Sequence, residues 1–325
     1  MLLVWLHNEL GVVRLAMGDL YEARRSFDQA LLINRQWVER DERSHNWRRI
    51  RLNQITVDVE MGQIGLAKRK CEEIIQVSKA GVHLREDRLA VALATGLRGW
   101  CLHLRGQADR AIADYAPACE ALSQLGEIRA QAYVERLYAN ALGMLNRPDE
   151  RRSRLETALD LAQSAVQMDI VHRLQVTLAE SYLFGSDTSS VQLRQRAHRH
   201  LDDALTYALH TQVHRVRCEA STVTAQPRLG MADFDGALRY ATDALMVATR
   251  YGMELRKVSL RALIAKIMAQ RGHPVTAEHL ARSCIKAATR QRYQTAIDEA
   301  SRVIADIPQM SAAIMSSDRS GQRTF

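Results

Sequence analysis

The chain has 325 residues, a formal net charge of +8, 47% hydrophobic residues and 25% charged residues. These values are typical of a folded protein and exclude a fully disordered chain. Aromatic residues make up 5% and there are only 5 prolines, which favours closely packed helices over sheets. The sequence contains no apolar stretch long enough to cross a bilayer, so we expect no membrane partner.

The cysteines indicate a reducing compartment. There are 5 of them, an odd number, and none forms a CxxC pair. Since they fall at apolar positions of expected helices, the sequence predicts buried thiols and a cytoplasmic protein. They are Cys71, Cys101, Cys119, Cys218 and Cys284.

A regular spacing of alanines organises the chain. Neighbouring members of the series lie 40 or 44 residues apart, except for one gap of about twice that length, where Arg151 takes the missing position. A fixed period of this size indicates one helical unit repeated along the chain. The series is Ala23, Ala67, Ala111, Ala197, Ala237 and Ala277.

The first unit shows how such a repeat packs. Gly11 and Ala23 are small enough for two helices to approach closely, and Phe27 fills the space between them. Gly18 can adopt the left-handed conformation that ends a helix, and Asp19 can cap the next one. The sequence therefore predicts a helical hairpin that turns at Gly18 and Asp19.

Similar positions recur in six further units, and a last helix is expected through Ile297–Ile304. Pro148 and Pro274 stand where proline suits a helix start, whereas Pro227 is expected to kink or interrupt its helix. The marker residues of the later units are Gly62 and Ala67, Gly106 and Ala111, Ala139 and Ala158, Gly185 and Ala197, Ala237 and Ala244, and Gly272 and Ala277.

The combined pattern resembles the tetratricopeptide repeat, a pair of antiparallel helices with small and large residues at fixed offsets. The resemblance implies an all-α solenoid, a right-handed superhelix of about seven helix pairs, over residues 1–306. The polar remainder, residues 307–325, is expected to be a disordered tail. Because the chain starts inside an apolar helical pattern, we expect it to be a fragment of a longer protein.

The long repeat period also resembles the tetratricopeptide arms of bacterial signal-transduction ATPases and maltose-regulator-type activators. The phosphate-binding motif GxxxxGK[ST] of such ATPases does not occur in this sequence. No helix-turn-helix can be placed either. The resemblance therefore implies a scaffold or sensor in bacterial signalling or transcriptional regulation, and a detached arm of such an ATPase is one alternative.

The resemblance places the first helix of each pair on the concave side of the superhelix. There, aromatic side chains, amides and arginines suit an extended peptide or helix of another protein, because they can anchor its side chains and bond its backbone. Each of these residues could instead be an ordinary packed or solvated helix position. The candidate groove residues are Trp5, Asn8, Arg49, Asn53, Trp100, His103, Tyr133, Arg136 and Asn140.

Other kinds of site find less support. His210, His214 and Cys218 share one helical stripe, but a straight helix cannot wrap three ligands around one metal ion. Neither GxSxG nor HExxH occurs, and the Ser, His and Asp residues are dispersed. We therefore expect no enzyme activity, no metal and no small-molecule cofactor.

Nucleic acid remains the alternative partner. Three arginine-rich runs could contact phosphates, although acidic residues interrupt one of them. Binding of this kind would weaken steeply with salt, whereas peptide binding would survive moderate salt. The runs are residues 48–51, 151–154 and 194–199.

Overall fold

The computed structural model describes the backbone of residues 2–37, 45–79, 84–185 and 190–321, with side chains as far as residue 308. Within these residues the regular secondary structure is helical throughout, in fifteen helices. Fourteen of them form seven consecutive pairs, and the last stands alone. The predicted all-α solenoid of about seven helix pairs is confirmed.

In each pair the odd-numbered helix comes first. The pairs are α1 (Leu2–Met17) with α2 (Leu20–Trp37), α3 (His45–Glu60) with α4 (Ile64–Ser78), α5 (Arg85–Leu104) with α6 (Ala108–Gln124), α7 (Ile128–Met144) with α8 (Pro148–Ser164), α9 (Met168–Phe184) with α10 (Val191–Thr211), α11 (His214–Gly230) with α12 (Phe234–Arg250), and α13 (Glu254–Gln270) with α14 (Pro274–Gln291). Helix α15 (Gln294–Gly321) packs on the seventh pair.

Small residues set the spacing of the helices. All six alanines of the periodic series lie in second helices and are completely buried. At Gly11, an added Cβ would lie 2.5 Å from a ring carbon of Phe27, so helices α1 and α2 approach as closely as predicted. In the fourth pair the Arg151 stem lies over Gly143, and its guanidinium pairs with Glu180.

The turns follow the sequence at most positions. Gly18 has a φ of +90°, and a side-chain oxygen of Asp19 accepts the Glu22 N–H at 3.2 Å. Pro148 and Pro274 are the first residues of α8 and α14, as predicted.

Helix α11 is not interrupted at Pro227 and ends at Gly230, so of the two expected effects of this proline a kink stays a prediction. The proline lies in its last turn, so little helix remains beyond it to be displaced.

Helix α15 continues through Pro308 as far as Gly321. Its last part lies in the segment from residue 307 for which the sequence predicts a disordered tail, and that tail stays a prediction. The segment QMSAAIM, residues 309–315, contains several good helix formers, which explains a helical backbone there. Residues 322–325 lie outside the described residues.

The superhelix curls until its two halves touch. Helix α1 contacts α11, and α3 contacts α13. The Leu20 N–H donates to the Tyr251 carbonyl oxygen at 3.1 Å, and an added Cβ at Gly18 would lie 2.7 Å from the backbone nitrogen of Arg215. We call this contact between the turns of the first three pairs and the turns preceding α11, α13 and α15 the seam.

The five cysteines are buried thiols, as predicted. In the described part of the chain, no helix is both long and apolar enough to serve as a membrane span.

Candidate functional site

The concave side of the superhelix encloses three adjoining cavities. Their volumes are about 170 Å³ for the inner, 460 Å³ for the middle and 600 Å³ for the outer cavity. Thr222 and Tyr293 line all three, so we call them together the central channel. Most of its wall comes from the first helices of pairs three to seven.

Four of the predicted groove residues meet at the inner end of this channel. Trp100, His103, Arg136 and Asn140 line the inner cavity, and the last three also reach the middle one. Tyr133 supports them from behind, since its ring packs edge-on against Trp100 with centroids 6.3 Å apart.

The other four predicted residues do not line the central channel. Asn53 donates an amide hydrogen bond to Asn8 at 3.0 Å, Arg49 pairs with Glu9, and Trp5 is about half exposed. The predicted groove of pairs one to four therefore divides into two places. At the seam α11 contacts α1 and α13 contacts α3, and α11 and α13, not α1, complete the wall of the channel.

A buried group of charged residues joins the two halves beside the channel. Arg173 lies 3.0 Å from Glu219, Arg215 lies 3.4 Å from Glu60, and Arg256 pairs with Glu219 while approaching Glu60. Burial alone would raise the pKa of Glu219, but Arg173 and Arg256 hold that pKa far below its usual range. We call these five residues the ionic cluster.

His103 is neutral at physiological pH. Burial, and secondarily the positive charge of Arg136, lowers the pKa of this imidazole to about 4. Its Nδ1 lies 3.3 Å from the Tyr115 hydroxyl. The ring can therefore exchange hydrogen bonds in the channel without carrying a charge.

Sequence reasoning missed the ionic cluster and, in the channel wall, Thr222 and Tyr293. One signal was available, because Arg173 and Glu219 are charged residues within the apolar faces of first helices, where a charge needs a partner. Nothing local in the sequence indicated that α11 and α13 would fold back onto α3. The missed residues are Glu60, Arg173, Arg215, Glu219, Thr222, Arg256 and Tyr293.

Carboxylates neutralise much of the predicted basic surface. Three examples are Arg48 at 3.1 Å from Asp87, Arg51 at 3.6 Å from Glu73 and Arg154 at 2.8 Å from Glu135. Arginines engaged in this way offer little to a phosphate. The first two basic runs therefore lend little support to a nucleic-acid partner.

The histidine stripe on α11 takes part in packing. His214 stacks on Tyr251 with ring centroids 3.8 Å apart, and the Cys218 thiol points to the Ala244 carbonyl oxygen at 3.6 Å. In the part of the chain that the structure describes, no three His, Cys, Asp or Glu residues are grouped so that they could hold a metal ion.

Comparisons with known proteins identify the fold. No protein-family model matches the chain, and no curated protein sequence does. Among solved structures, it is similar to a Rap protein complexed with Competence and Sporulation Factor, with a TM-score of 0.67, 14% identity, and 90% of this chain and 76% of that chain covered.

Two further solved structures share this arrangement. The Rap conjugation gene regulator of plasmid pLS20, in complex with the Phr* peptide, has a TM-score of 0.66 at 11% identity, covering 90% of this chain and 75% of that chain. NprR in complex with its cognate peptide NprX has a TM-score of 0.60 at 14% identity, covering 90% and 80%. The chain thus has the tetratricopeptide-type helical-repeat fold.

Proposed function

We propose that this protein is a non-catalytic module that binds a peptide segment of a partner in the central channel and thereby serves regulation. The observation that carries the proposal is the channel itself. Three adjoining cavities form an elongated space that is lined by polar and apolar groups in similar proportion and walled by packed helices, which suits an extended chain better than a compact metabolite.

The solved structures of similar fold add support. Three of them are complexes whose descriptions name a factor or peptide as the second component. At 11 to 14% identity this likeness concerns the fold, and it does not carry over any contact. The partner of this chain is therefore argued from its own channel.

The chemistry near the channel favours binding over catalysis. The Thr222 hydroxyl donates to the Cys218 carbonyl, and Ser259 shares a hydrogen bond with Tyr293 at 3.0 Å. Burial raises the pKa of the Cys218 thiol to about 12, so no nucleophilic thiolate forms there at neutral pH. These candidate nucleophiles are held by structural contacts.

The proposal is tested by blocking the channel. Thr222 lines all three cavities, so Thr222→Trp fills the space in which a peptide would lie. The matched control is Thr242→Trp, because Thr242 makes the same kind of hydroxyl-to-carbonyl bond on the exposed face of α12. Each protein is immobilised, incubated with a random octapeptide library, and the bound peptides are quantified by mass spectrometry.

We expect the wild type and Thr242→Trp to retain the same peptides, and Thr222→Trp to lose at least tenfold. Circular dichroism and gel filtration would check that both variants fold. Equal capture by folded Thr222→Trp would place binding elsewhere. If the wild type retains no more peptide than an unrelated helical protein, the proposed function is wrong.

A further inference from the structure

Arg136 is a buried cation at the wall of the inner and middle cavities. Only 5% of its surface is exposed. Among the described residues no carboxylate lies within 4 Å of it, and its recorded contact is with the Tyr133 ring, 5.8 Å from the guanidinium carbon. Buried arginines are normally paired, so this one is an exception within its own channel.

The neighbouring carboxylates are already engaged. Glu219 forms ion pairs with Arg173 and Arg256, and Glu60 forms ion pairs with Arg215 and Arg256. With Arg136 included, three buried arginines and the partly exposed Arg256 stand against two buried glutamates, which leaves an excess of positive charge at the inner end of the channel.

The guanidinium stays charged in this position. Burial, with the added repulsion of Arg173, lowers the pKa of Arg136 to about 10, which still leaves the group protonated at neutral pH. Glu219 attracts this charge from beyond salt-bridge distance, and a negatively charged group entering the cavity would give it a direct partner.

The surrounding side chains suit a carboxylate. A guanidinium presents parallel N–H donors that match the two oxygens of a carboxylate. Asn140 adds an amide to the same wall, neutral His103 adds no competing charge, and Trp100 closes the apolar side. The inner cavity, about 170 Å³, has room for a small group rather than a bulky one.

We propose that Arg136 is the anchor for a carboxylate of the bound peptide, so that this module selects peptides with an acidic side chain or a free C-terminus at the inner end of the channel. The proposal rests on the proposed peptide-binding function and specifies its ligand. It makes Arg136 a specificity residue. It also predicts that, without a ligand, the wild type is less stable than a variant that lacks this cation.

The library experiment, extended to two variants, tests the selection. Arg136→Gln removes the cation with little change of volume. Arg129→Gln is the matched control, since Arg129 lies on the same helix α7 but lines none of the three cavities, and its guanidinium pairs with Asp169 at 2.9 Å. Octapeptides are supplied with free and with amidated C-termini, which separates a C-terminal carboxylate from an acidic side chain.

We expect the wild type and Arg129→Gln to enrich peptides bearing a carboxylate at least fivefold over their frequency in the library, and Arg136→Gln to lose that preference. Peptides retained without any carboxylate preference, or a preference that survives Arg136→Gln, would overturn the anchor while leaving peptide binding intact. If the wild type retains no peptide, both the proposed peptide-binding function and the proposed carboxylate anchor are wrong.

A second measurement separates an anchor from a structural residue. Because Arg136 is an unpaired buried charge in the free protein, Arg136→Gln should raise the unfolding temperature by roughly 2 to 4 °C. A fall of similar size would show that Arg136 stabilises the fold, which would overturn the proposal. Raised stability together with lost carboxylate preference is the pattern expected of a site built for a ligand.

Discussion

At the level of single residues, the channel wall holds titratable groups in unusual protonation states. His103 is 8% exposed, between Tyr115 and Arg136, and its pKa of about 4 keeps it neutral. An unfolded histidine has a pKa near 6.5. Between this pH and about pH 4, the unfolded chain therefore binds a proton at this residue that the folded chain does not bind. Stability must therefore depend on pH.

The sign follows from the lowered pKa. The stabilising contribution of neutral His103 is complete above about pH 6.5 and is lost as the pH falls towards 4. Between pH 7 and pH 5 we expect the wild type to lose about 1 to 2 kcal/mol more unfolding free energy than His103→Gln. Urea unfolding at both pH values measures the difference.

The control for this prediction is His198→Gln, at an exposed position of α10. It should retain the wild-type pH dependence. If His103→Gln shows the same dependence as the wild type, the buried ring is not the group that titrates.

At the level of helices, a small residue faces a large one in the first and third pairs. Gly11 under Phe27 is the tightest such contact that we describe, and Gly99 under Tyr115 repeats it in the third pair, at 3.0 Å from an added Cβ. Both aromatic rings are completely buried. The spacing of a pair thus depends on the absence of one methyl group.

A double-mutant cycle tests this contact. Gly11→Ala places a methyl group inside the Phe27 ring envelope and should cost about 1 to 3 kcal/mol. Phe27→Leu also destabilises, but it removes the obstacle. The double variant should therefore be more stable than the sum of the single effects by at least about 0.5 kcal/mol in urea unfolding.

Gly65→Ala provides the comparison, because its added Cβ meets only ordinary contacts, 3.7 Å or more away. This change should leave stability unchanged or raise it. Strictly additive effects at Gly11 and Phe27 would contradict the idea that the two residues set the helix spacing.

The helix pairs were readable from sequence because their cause is local. Each depends on a turn such as Gly18-Asp19 and on small residues within the next twenty positions. The tail from residue 307 is less readable, since its polar composition favours disorder while its helix propensity favours the helical backbone that reaches Gly321.

The candidate site was partly predictable for the same reason. Trp100, His103 and Arg136 belong to neighbouring pairs, so the repeat alone places them on one surface. Thr222 and Tyr293 join them only because small rotations between units add up to a closed turn. The total rotation depends on every interface between neighbouring units, so no single sequence motif predicts it.

At the level of the whole molecule, the seam turns an open array into a closed ring of contacts. Gly18 is a point of close backbone contact in it, since an added Cβ would meet both the Arg215 backbone and the Met253 side chain at 2.7 Å. Gly126 has a similar left-handed conformation, with a φ of +69°, but an added Cβ there would meet nothing within 4 Å. An alanine at Gly126 therefore adds backbone strain alone, whereas an alanine at Gly18 adds backbone strain and a steric clash within the seam.

Alanine substitution at both positions tests the seam. Gly126→Ala should cost about 1 to 2 kcal/mol, the strain of a side chain in the left-handed region. Gly18→Ala should cost at least about 1 kcal/mol more, because it also pushes the two halves apart. Urea unfolding measures both, and equal losses would show that the seam contributes nothing to stability.

The seam has a consequence for what the channel can admit. Its two sides belong to one chain, so they meet at a high effective concentration, and contacts too weak to hold separate molecules together suffice to keep them closed. A peptide that fits within the channel leaves this closure intact. A bulkier ligand would have to spend part of its binding free energy on separating the two sides, so the strength of the seam sets the largest ligand that the channel can hold.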